Sequence, residues 1–231
     1  MNLDFNYLLD KAKVEVDFNA IYNLINNKNI MVTGAGGSIG SELVRQICKY
    51  NPKSITFFDR NEEKVFYLER EISTNTQIPI TVRLGSITDR KRSDLIFEEC
   101  KPDIVFHTAA NKHVPLSEEN PQETFLNNVG GTMVLVEAAL RHKCKNFIFV
   151  STDKAVNPSS IMGHTKRLCE LYIQAIWSSF NRNIDIAFTI VRFGNVIGSS
   201  GSVAEIFKKQ LEIGNTVTIT DLDMTRYFLT I

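Results

Sequence analysis

The sequence has few cysteines and no excess of charge of either sign. Lysine and arginine total 26 and aspartate and glutamate total 26, so the composition predicts no general affinity for nucleic acid. The four cysteines form no C-x-x-C pair, and all lie in apolar or helical contexts; they are Cys48, Cys100, Cys144 and Cys169. Reduced thiols in a cytoplasmic protein are therefore expected, and a metal site is not.

Long apolar runs, targeting signals and repeats are also missing from the sequence. No run reaches the roughly 18 residues that span a membrane. The N-terminus lacks a basic region followed by an apolar stretch, so we expect no signal peptide. Hydrophobic residues make up 43% of the 231 residues, which is enough for a substantial core.

Strand-like apolar runs alternate with amphipathic helices along most of the chain. Strands are predicted at Ile30–Thr33, Ile55–Phe58, Ile80–Leu84, Ile104–Thr108, Phe147–Val150 and Ala187–Val191. Helices are predicted at Asp17–Asn26, Ile39–Tyr50, Glu62–Ser73, Arg90–Glu99, Pro121–Arg141 and Gly163–Phe180. Because several strands are apolar on both faces, the pattern predicts a doubly wound α/β fold of the Rossmann type with a parallel sheet.

The pattern also predicts three segments. Residues 1–28 form an N-terminal leader, and residues 29–193 form a dinucleotide-binding domain. Residues 194–231 form part of a substrate-binding region with one more strand, Thr216–Ile219.

A glycine-rich loop directly follows the first predicted strand and opens the first long helix. Gly34, Gly37 and Gly40 give the spacing G-x-x-G-x-x-G. Residues without a Cβ allow a tight turn and a close approach of backbone to a pyrophosphate, which the helix N-terminus then attracts. The loop predicts dinucleotide binding by Thr33, Gly34, Gly37, Ser38, Ile39 and Gly40.

Asp59 stands at the end of the second strand, where a carboxylate accepts hydrogen bonds from ribose hydroxyls and repels a 2′-phosphate. This favours NAD. Arg60 complicates the choice, because a guanidinium can bind the 2′-phosphate of NADP. Further along the chain, we expect cofactor contacts from residues after the third and fourth strands, namely Ser86, Ile87, Ala109, Ala110 and Lys112.

Reactive side chains follow the fifth strand at Thr152, Asp153 and Lys154. An adjacent acid and amine beside a nicotinamide site suit removal of water from an oxidised sugar better than simple oxidation. A second motif reads Met162-x-x-x-Lys166.

These motifs resemble the extended short-chain dehydrogenases/reductases, whose Y-x-x-x-K motif carries tyrosine where Met162 stands here. More narrowly, the chain resembles the UDP-N-acetylglucosamine 4,6-dehydratases of bacterial polysaccharide and glycan biosynthesis, in particular the catalytic domain of their long, membrane-anchored members. The stretches that carry the resemblance are TGAGGSIGSE (33–42), HTAANKHVPLSEENPQETFLNNVGGT (107–132), STDKAVNPSSIMGHTKR (151–167), VRFGNVIGSSGSV (191–203) and MTRYFLTI (224–231). In the family, more chain follows the last stretch and helps to close the uridine pocket.

The resemblance implies a three-stage reaction with UDP-N-acetylglucosamine. Hydride leaves C4, water leaves across C5–C6, and the hydride returns to C6. Asp153 would protonate the leaving hydroxyl, Lys154 would remove the C5 proton, and Thr152 would hydrogen-bond the C4 oxygen. Lys166 would hold the nicotinamide ribose, while Met162 cannot transfer a proton. The group that takes the C4 hydroxyl proton stays open between Asp153 and a water held by Lys166.

Substrate contacts are expected from Lys112, and from residues suited to a nucleotide diphosphate, namely Arg192, Asn195 and Arg226. His113, Asn127 and Asn128 are interpreted as structural. A homo-oligomer and retention of configuration at C5 are favoured. A UDP-sugar 4-epimerase or another redox member, and a non-catalytic nucleotide-binding module, remain the alternatives.

Overall fold

The computed structural model describes residues 15–180, 185–199, 201–214, 216–219, 223 and 225–230. Half of the predicted leader, residues 1–14, therefore lies outside the described residues, as do residues 224 and 231 of the last family stretch. The chain divides into two compact units, of which one comprises Phe18–Arg192 and the other includes Phe193–Ile231.

A six-stranded sheet organises the larger unit. Its strands are β1 (Asn29–Thr33), β2 (Ser54–Asp59), β3 (Ile80–Leu84), β4 (Ile104–His107), β5 (Asn146–Thr152) and β6 (Ala187–Phe193). The order across the sheet is β3-β2-β1-β4-β5-β6, and the pairs among the first five strands are parallel. The predicted doubly wound fold is confirmed. The order reverses at β1 and β4, and ligands bind beyond the carboxyl ends of the strands at such a reversal.

Helices surround this sheet, and most of them pack on its two faces. They are α1 (Phe18–Ile25), α2 (Ser38–Cys48), α3 (Glu62–Asn75), α4 (Arg90–Cys100), α5 (Val114–Glu119), α6 (Pro121–Phe125), α7 (Gly131–Arg141) and α8 (Ile161–Ser179). Neighbouring strand residues alternate between two buried clusters: Met31 and Phe58 lie in one, and Val32 and Phe57 in the other. This alternation explains the continuous apolar runs, because each face of the sheet carries its own core.

The prediction of one continuous helix at Pro121–Arg141 is wrong, because the structure divides this range into α6, a π-helical turn and α7. One π-helical turn, Leu126–Gly130, separates α6 from α7. This turn buries Asn127 and Asn128, and the Asn128 amide bonds both the backbone N–H and the carbonyl of Asn111. The helix is widened where a polar side chain must reach a neighbouring loop. Helix α5 was not predicted.

The strand predicted at Thr216–Ile219 is also wrong, because these residues form no regular structure. The backbone N–H and hydroxyl of Thr218 bond the side-chain amide of Gln210 instead of a strand partner. In this smaller unit, β7 (Asn195–Ile197) pairs in parallel with β8 (Phe228–Thr230), and α9 (Val203–Gly214) lies between them in the chain. Across the described residues of both units, no helix has the length and apolarity needed to cross a membrane.

Candidate functional site

The glycine loop between β1 and α2 is packed too tightly for side chains. Gly34 has a φ of +68°, and a Cβ there would lie 2.7 Å from the Ala109 Cα. A Cβ on Gly40 would lie 2.2 Å from the Gly34 carbonyl oxygen. At the start of α2, no side chain caps the helix at Gly37. The positive end of the helix dipole there suits an anionic ligand such as a pyrophosphate.

A cavity of about 260 Å³ opens over this loop. The predicted cofactor residues that line it are Gly34, Gly37, Asp59, Arg60, Ser86, Ile87, Ala109 and Ala110. The lining residues that sequence reasoning did not assign to a cofactor include Asn61, Lys64, Asn111 and Asn127. Asn127 could have been found from the sequence, because an asparagine inside an otherwise apolar helix needs a polar partner, and a bound cofactor is one such partner. The cavity gathers backbone, amide, carboxylate and cationic groups, as a dinucleotide requires.

The Asp59 carboxylate holds two backbone segments that line the cavity. Its Oδ2 accepts the Gly36 N–H at 2.9 Å and its Oδ1 accepts the Asn61 N–H at 2.9 Å. A carboxylate has further lone pairs, so both oxygens can still accept ribose hydroxyls. Arg60 donates to the Asn111 Oδ1 at 3.3 Å, and Lys64 is a second cation on the lining. One anion and two cations therefore border the site.

Thr33 lies beneath the loop rather than on the cavity lining. Its hydroxyl is 2.7 Å from Nδ1 of the fully buried His107, and Nε2 of that ring is 3.0 Å from the Thr132 hydroxyl. Thr132 donates its proton to the Asn128 carbonyl, so it accepts from Nε2–H, and Nδ1 accepts from Thr33. Burial holds the pKa of His107 well below its ordinary value, which keeps this chain of hydrogen bonds neutral.

Helix α8 supplies Met162 and Lys166, and both are buried. The Lys166 Nζ donates to the Val150 carbonyl at 2.9 Å and lies 4.5 Å from the centre of the Phe149 ring. Burial lowers the pKa of Lys166 to about 8. The amine is therefore close to its titration point at neutral to mildly alkaline pH, while Met162 offers no transferable proton.

The acid and the amine sit in a 3₁₀ turn, Asp153–Ala155, directly after β5. The Asp153 Oδ1 accepts from the Thr152 hydroxyl at 2.9 Å and from the Lys154 Nζ at 3.0 Å. Burial alone would raise the pKa of Asp153, but these hydrogen bonds lower it below its ordinary value. Asp153 is thus an ionised carboxylate at neutral pH.

Gly163 brings α8 against this turn. A Cβ at Gly163 would lie 2.4 Å from the Lys154 carbonyl oxygen. The helix also begins with a side-chain cap, because the Ser160 Oγ accepts the Gly163 N–H at 3.1 Å. The structure thus brings the two predicted catalytic motifs, 152–154 and 162–166, into direct contact.

The predicted substrate residues are spread over both units. Lys112 is exposed after β4, and the neighbouring His113 has its pKa lowered by partial burial and by the Lys112 charge. The Arg192 guanidinium is held by Glu170, its Nε lying 2.7 Å from Oε1. Asn195 begins β7 in the smaller unit, where Arg226 donates to the Thr225 carbonyl at 2.8 Å. Their contacts with substrate stay predictions.

The remaining predicted residues, Ser38 and Ile39, form the first turn of α2. All four cysteines are free thiols. Among the described residues, no group of three or more histidine, cysteine, aspartate or glutamate side chains could hold a metal ion.

Known proteins with similar sequences include bacterial proteins of polysaccharide and sugar-nucleotide metabolism. A family model described as "Polysaccharide biosynthesis protein" matches residues 30–231. The capsular polysaccharide biosynthesis protein CapD of Staphylococcus aureus is 43% identical over 97% of this chain and 37% of its own length. The inverting UDP-N-acetylglucosamine 4,6-dehydratase of Campylobacter jejuni strain 81-176 is 34% identical over 90% of this chain and 61% of its own length. This chain thus spans less than two thirds of either relative.

Among solved structures, the UDP-glucose 4-epimerase of Thermotoga maritima in complex with UDP-glucose superposes with a TM-score of 0.71. The two chains are 26% identical, and the match covers 87% of this chain and 69% of the epimerase. Sugar-nucleotide dehydratases and epimerases are therefore both similar to this chain.

Proposed function

Since the chain belongs to the polysaccharide biosynthesis protein family, we propose that it is a lyase, a UDP-N-acetylglucosamine 4,6-dehydratase that oxidises C4 and removes water across C5–C6, with NAD as its cofactor. One observation carries this proposal. An ionised acid and an amine, Asp153 and Lys154, share a turn at the carboxyl edge of the sheet, and the helix packed on that turn carries methionine where a redox member has tyrosine.

The glycine cradle fits a dinucleotide, because a Cβ at Gly34 or Gly40 would collide with neighbouring backbone, and the tight turn that results is the one that lets backbone N–H groups approach a pyrophosphate. Bound NAD would accept hydride from the sugar and later return it. The loop 34–40 would hold the pyrophosphate, and Asp59 would hold the adenosine ribose. Lys166 would hold the nicotinamide ribose.

NAD is proposed over NADP because Asp59 repels a 2′-phosphate, although Arg60 and Lys64 both border the cavity. Calorimetry on cofactor-stripped protein should show tighter binding of NAD. Tighter binding of NADP would mean that the two cations outweigh the carboxylate.

The ionised state of Asp153 suggests which group takes the C4 hydroxyl proton. A carboxylate that is already ionised acts first as a base, so Asp153 takes this proton while hydride leaves C4. Lys154, which is ion-paired with Asp153 in the free protein, gives one ammonium proton to solvent and then takes the C5 proton as the free amine. Asp153 returns its proton to the C6 hydroxyl, which leaves as water. Lys154 finally reprotonates C5 as hydride returns to C6. Lys154 then regains a proton from solvent, so both side chains are back in their starting states and the net change is the loss of one water.

A lowered pKa does not disqualify Asp153 as the later acid. The proton that it donates is the one it received from the C4 hydroxyl, so it need not be protonated in the free protein. Thr152, which donates to Asp153 in the free protein, can turn its hydroxyl to the C4 oxygen once that carboxylate is protonated. Protonation of Asp153 also removes the negative charge that stabilises a positive charge on Lys154.

A UDP-sugar 4-epimerase is the second candidate, and the similarity to the Thermotoga maritima enzyme favours it. An epimerase returns hydride to C4 and needs no acid–amine pair to expel water. A non-catalytic nucleotide-binding module would tolerate methionine at 162 without any replacement for tyrosine.

Incubation with UDP-N-acetylglucosamine in heavy water separates the three. Dehydration predicts a 4-keto-6-deoxy product with deuterium at C5. UDP-N-acetylgalactosamine would support the epimerase, and no turnover by the full-length protein would support the binding module. Retention at C5 is the favoured stereochemistry. NMR of freshly formed product should show it, and an inverted C5 before any non-enzymatic epimerisation would contradict it.

A cytoplasmic location and a homo-oligomer also remain proposals. Light scattering on the purified protein would measure the oligomeric state directly. A mass equal to one chain at all concentrations would contradict the homo-oligomer.

A further inference from the structure

Glu170 is a buried carboxylate with no part in the reaction described above. Its residue is 0% exposed, and it stands on α8 one turn after Lys166. The carboxylate accepts from the Ser151 hydroxyl at 2.6 Å, from Arg192 Nε at 2.7 Å and Nη2 at 2.5 Å, and from Arg167 Nη1 at 2.9 Å. Four donors thus converge on one side chain inside the fold.

These contacts lead to the reactive turn. Ser151 immediately precedes Thr152, and the neighbouring Val150 carbonyl accepts from Lys166. Side chains four residues apart on α8 therefore hold two consecutive residues at the end of β5. Arg192 ties the same carboxylate to β6, the next strand of the sheet. The two residues that lead into the turn, Val150 and Ser151, are thus each held by a charge-assisted hydrogen bond.

Stability alone is a weak explanation for such a group. A buried ion pair loses much of its attraction to desolvation, and apolar residues of similar volume are often as stable. A buried carboxylate instead fixes the positions of the groups that donate to it, because each donor must point at one of its lone pairs. Burial alone would raise the pKa of Glu170, but Arg192, Ser151 and Arg167 lower it to about 2, so it stays ionised through the working pH range.

We infer that Glu170 is a positioning residue, which acts through Ser151 to fix where the Asp153 carboxylate and the Lys154 amine stand. The effect on turnover rests on the proposed function, whereas the effect on the geometry of residues 151–155 does not. Because catalytic groups must be placed to within a fraction of an ångström, a displacement of about 1 Å reduces the rate by about 10²-fold.

The test uses Glu170→Gln, Ser151→Ala and the double variant in the full-length protein. Glu71→Gln is the matched control, because Glu71 also accepts two hydrogen bonds from one arginine, Arg45, but on the exposed surface of α3. Hydrogen exchange of the segment 151–156, kcat and KM for dehydration, and the Kd for NAD are measured for each. The exchange measurement needs no activity.

We expect faster exchange in 151–156 and a kcat lower by about 10- to 100-fold in both single variants, with the Kd for NAD within about threefold. KM should stay within about threefold in Ser151→Ala, whereas Glu170→Gln also loosens Arg192, a predicted substrate residue, and should raise KM as well. The double variant should be about as slow as the slower single variant, because both changes act on one connection: Glu170→Gln removes the charge that strengthens the hydrogen bond from Ser151, and Ser151→Ala removes the donor. Exchange and kcat equal to those of Glu71→Gln would overturn the inference. So would losses of NAD affinity and kcat in equal measure, since they would indicate general loosening.

The two proposals fail separately in this design. If the unaltered protein does not dehydrate the sugar but exchange rises in the variants, the proposed function is wrong and the positioning role stands. If it dehydrates normally and Glu170→Gln changes neither exchange nor kcat, the positioning role is wrong.

Discussion

Replacing Gly163 by alanine perturbs the contact between the two reactive motifs with a single methyl group. In an exposed helix this change would be favourable by about 1 kcal/mol. Here the new Cβ would lie 2.4 Å from the Lys154 carbonyl oxygen, whereas ordinary contact begins at 3.4 Å. Helix α8 and the turn 153–155 must therefore separate by about 1 Å. A misplacement of that size lowers the rate by about 10²-fold.

The assay measures kcat for the 4-keto product together with the Kd for NAD. The Kd for NAD should rise far less than kcat falls, because the glycine cradle at 34–40 does not touch Gly163 and Lys166 is the one proposed cofactor contact on α8. Gly130→Ala is the matched control: a Cβ there would meet nothing within 4 Å, and its φ of −58° suits alanine. It should keep full activity and an unchanged or higher melting temperature. Full activity of Gly163→Ala would refute the argument that this contact fixes the reactive turn.

Three further predictions concern single side chains. Asp153→Asn and Lys154→Ala should each lower turnover by about 10²–10⁴-fold without loss of NAD binding, and near-normal rates would show that the acid and base are misassigned. The pKa of Lys166 is about 8, and its ammonium form is the one proposed to bind the ribose. The affinity for NAD should therefore be constant with pH below about 8. Above it, affinity should fall by up to tenfold per pH unit, and Lys166→Met, titrated by calorimetry, should lose this dependence. Met162→Tyr should change turnover little if Asp153 has taken over the tyrosine's role; a large gain would argue against that.

Sequence patterns predicted the sheet well, because a parallel strand buried on both faces needs a continuous apolar run such as Ile104–Phe106. They also located the loop at Gly34–Gly40, whose spacing reflects a local backbone requirement. The π turn at Leu126–Gly130 was missed, since it depends on Asn128 reaching Asn111, which is distant in sequence. The strand prediction at Thr216–Ile219 was wrong because Thr218 bonds the side chain of Gln210, on the preceding helix, and the apolar pattern of the run does not reveal that bond.

The candidate site was predictable in part. The neighbours Asp153 and Lys154 are visible as a pair in the sequence, but the ionised state of Asp153 follows from hydrogen bonds seen in the folded chain. Glu170 shows the same limit. Its spacing of four from Lys166 places both on one helix face, yet the sequence does not reveal that they hold consecutive residues of β5.

The most direct test of the central claim follows one hydrogen atom. UDP-N-acetylglucosamine carrying deuterium at C4 is incubated with the protein without external reductant, and the product is examined by NMR and mass spectrometry. Dehydration predicts that the deuterium appears at C6 of a 4-keto-6-deoxy sugar, because the hydride taken from C4 is returned two carbons away. Deuterium retained at C4 of an epimerised sugar would contradict the account.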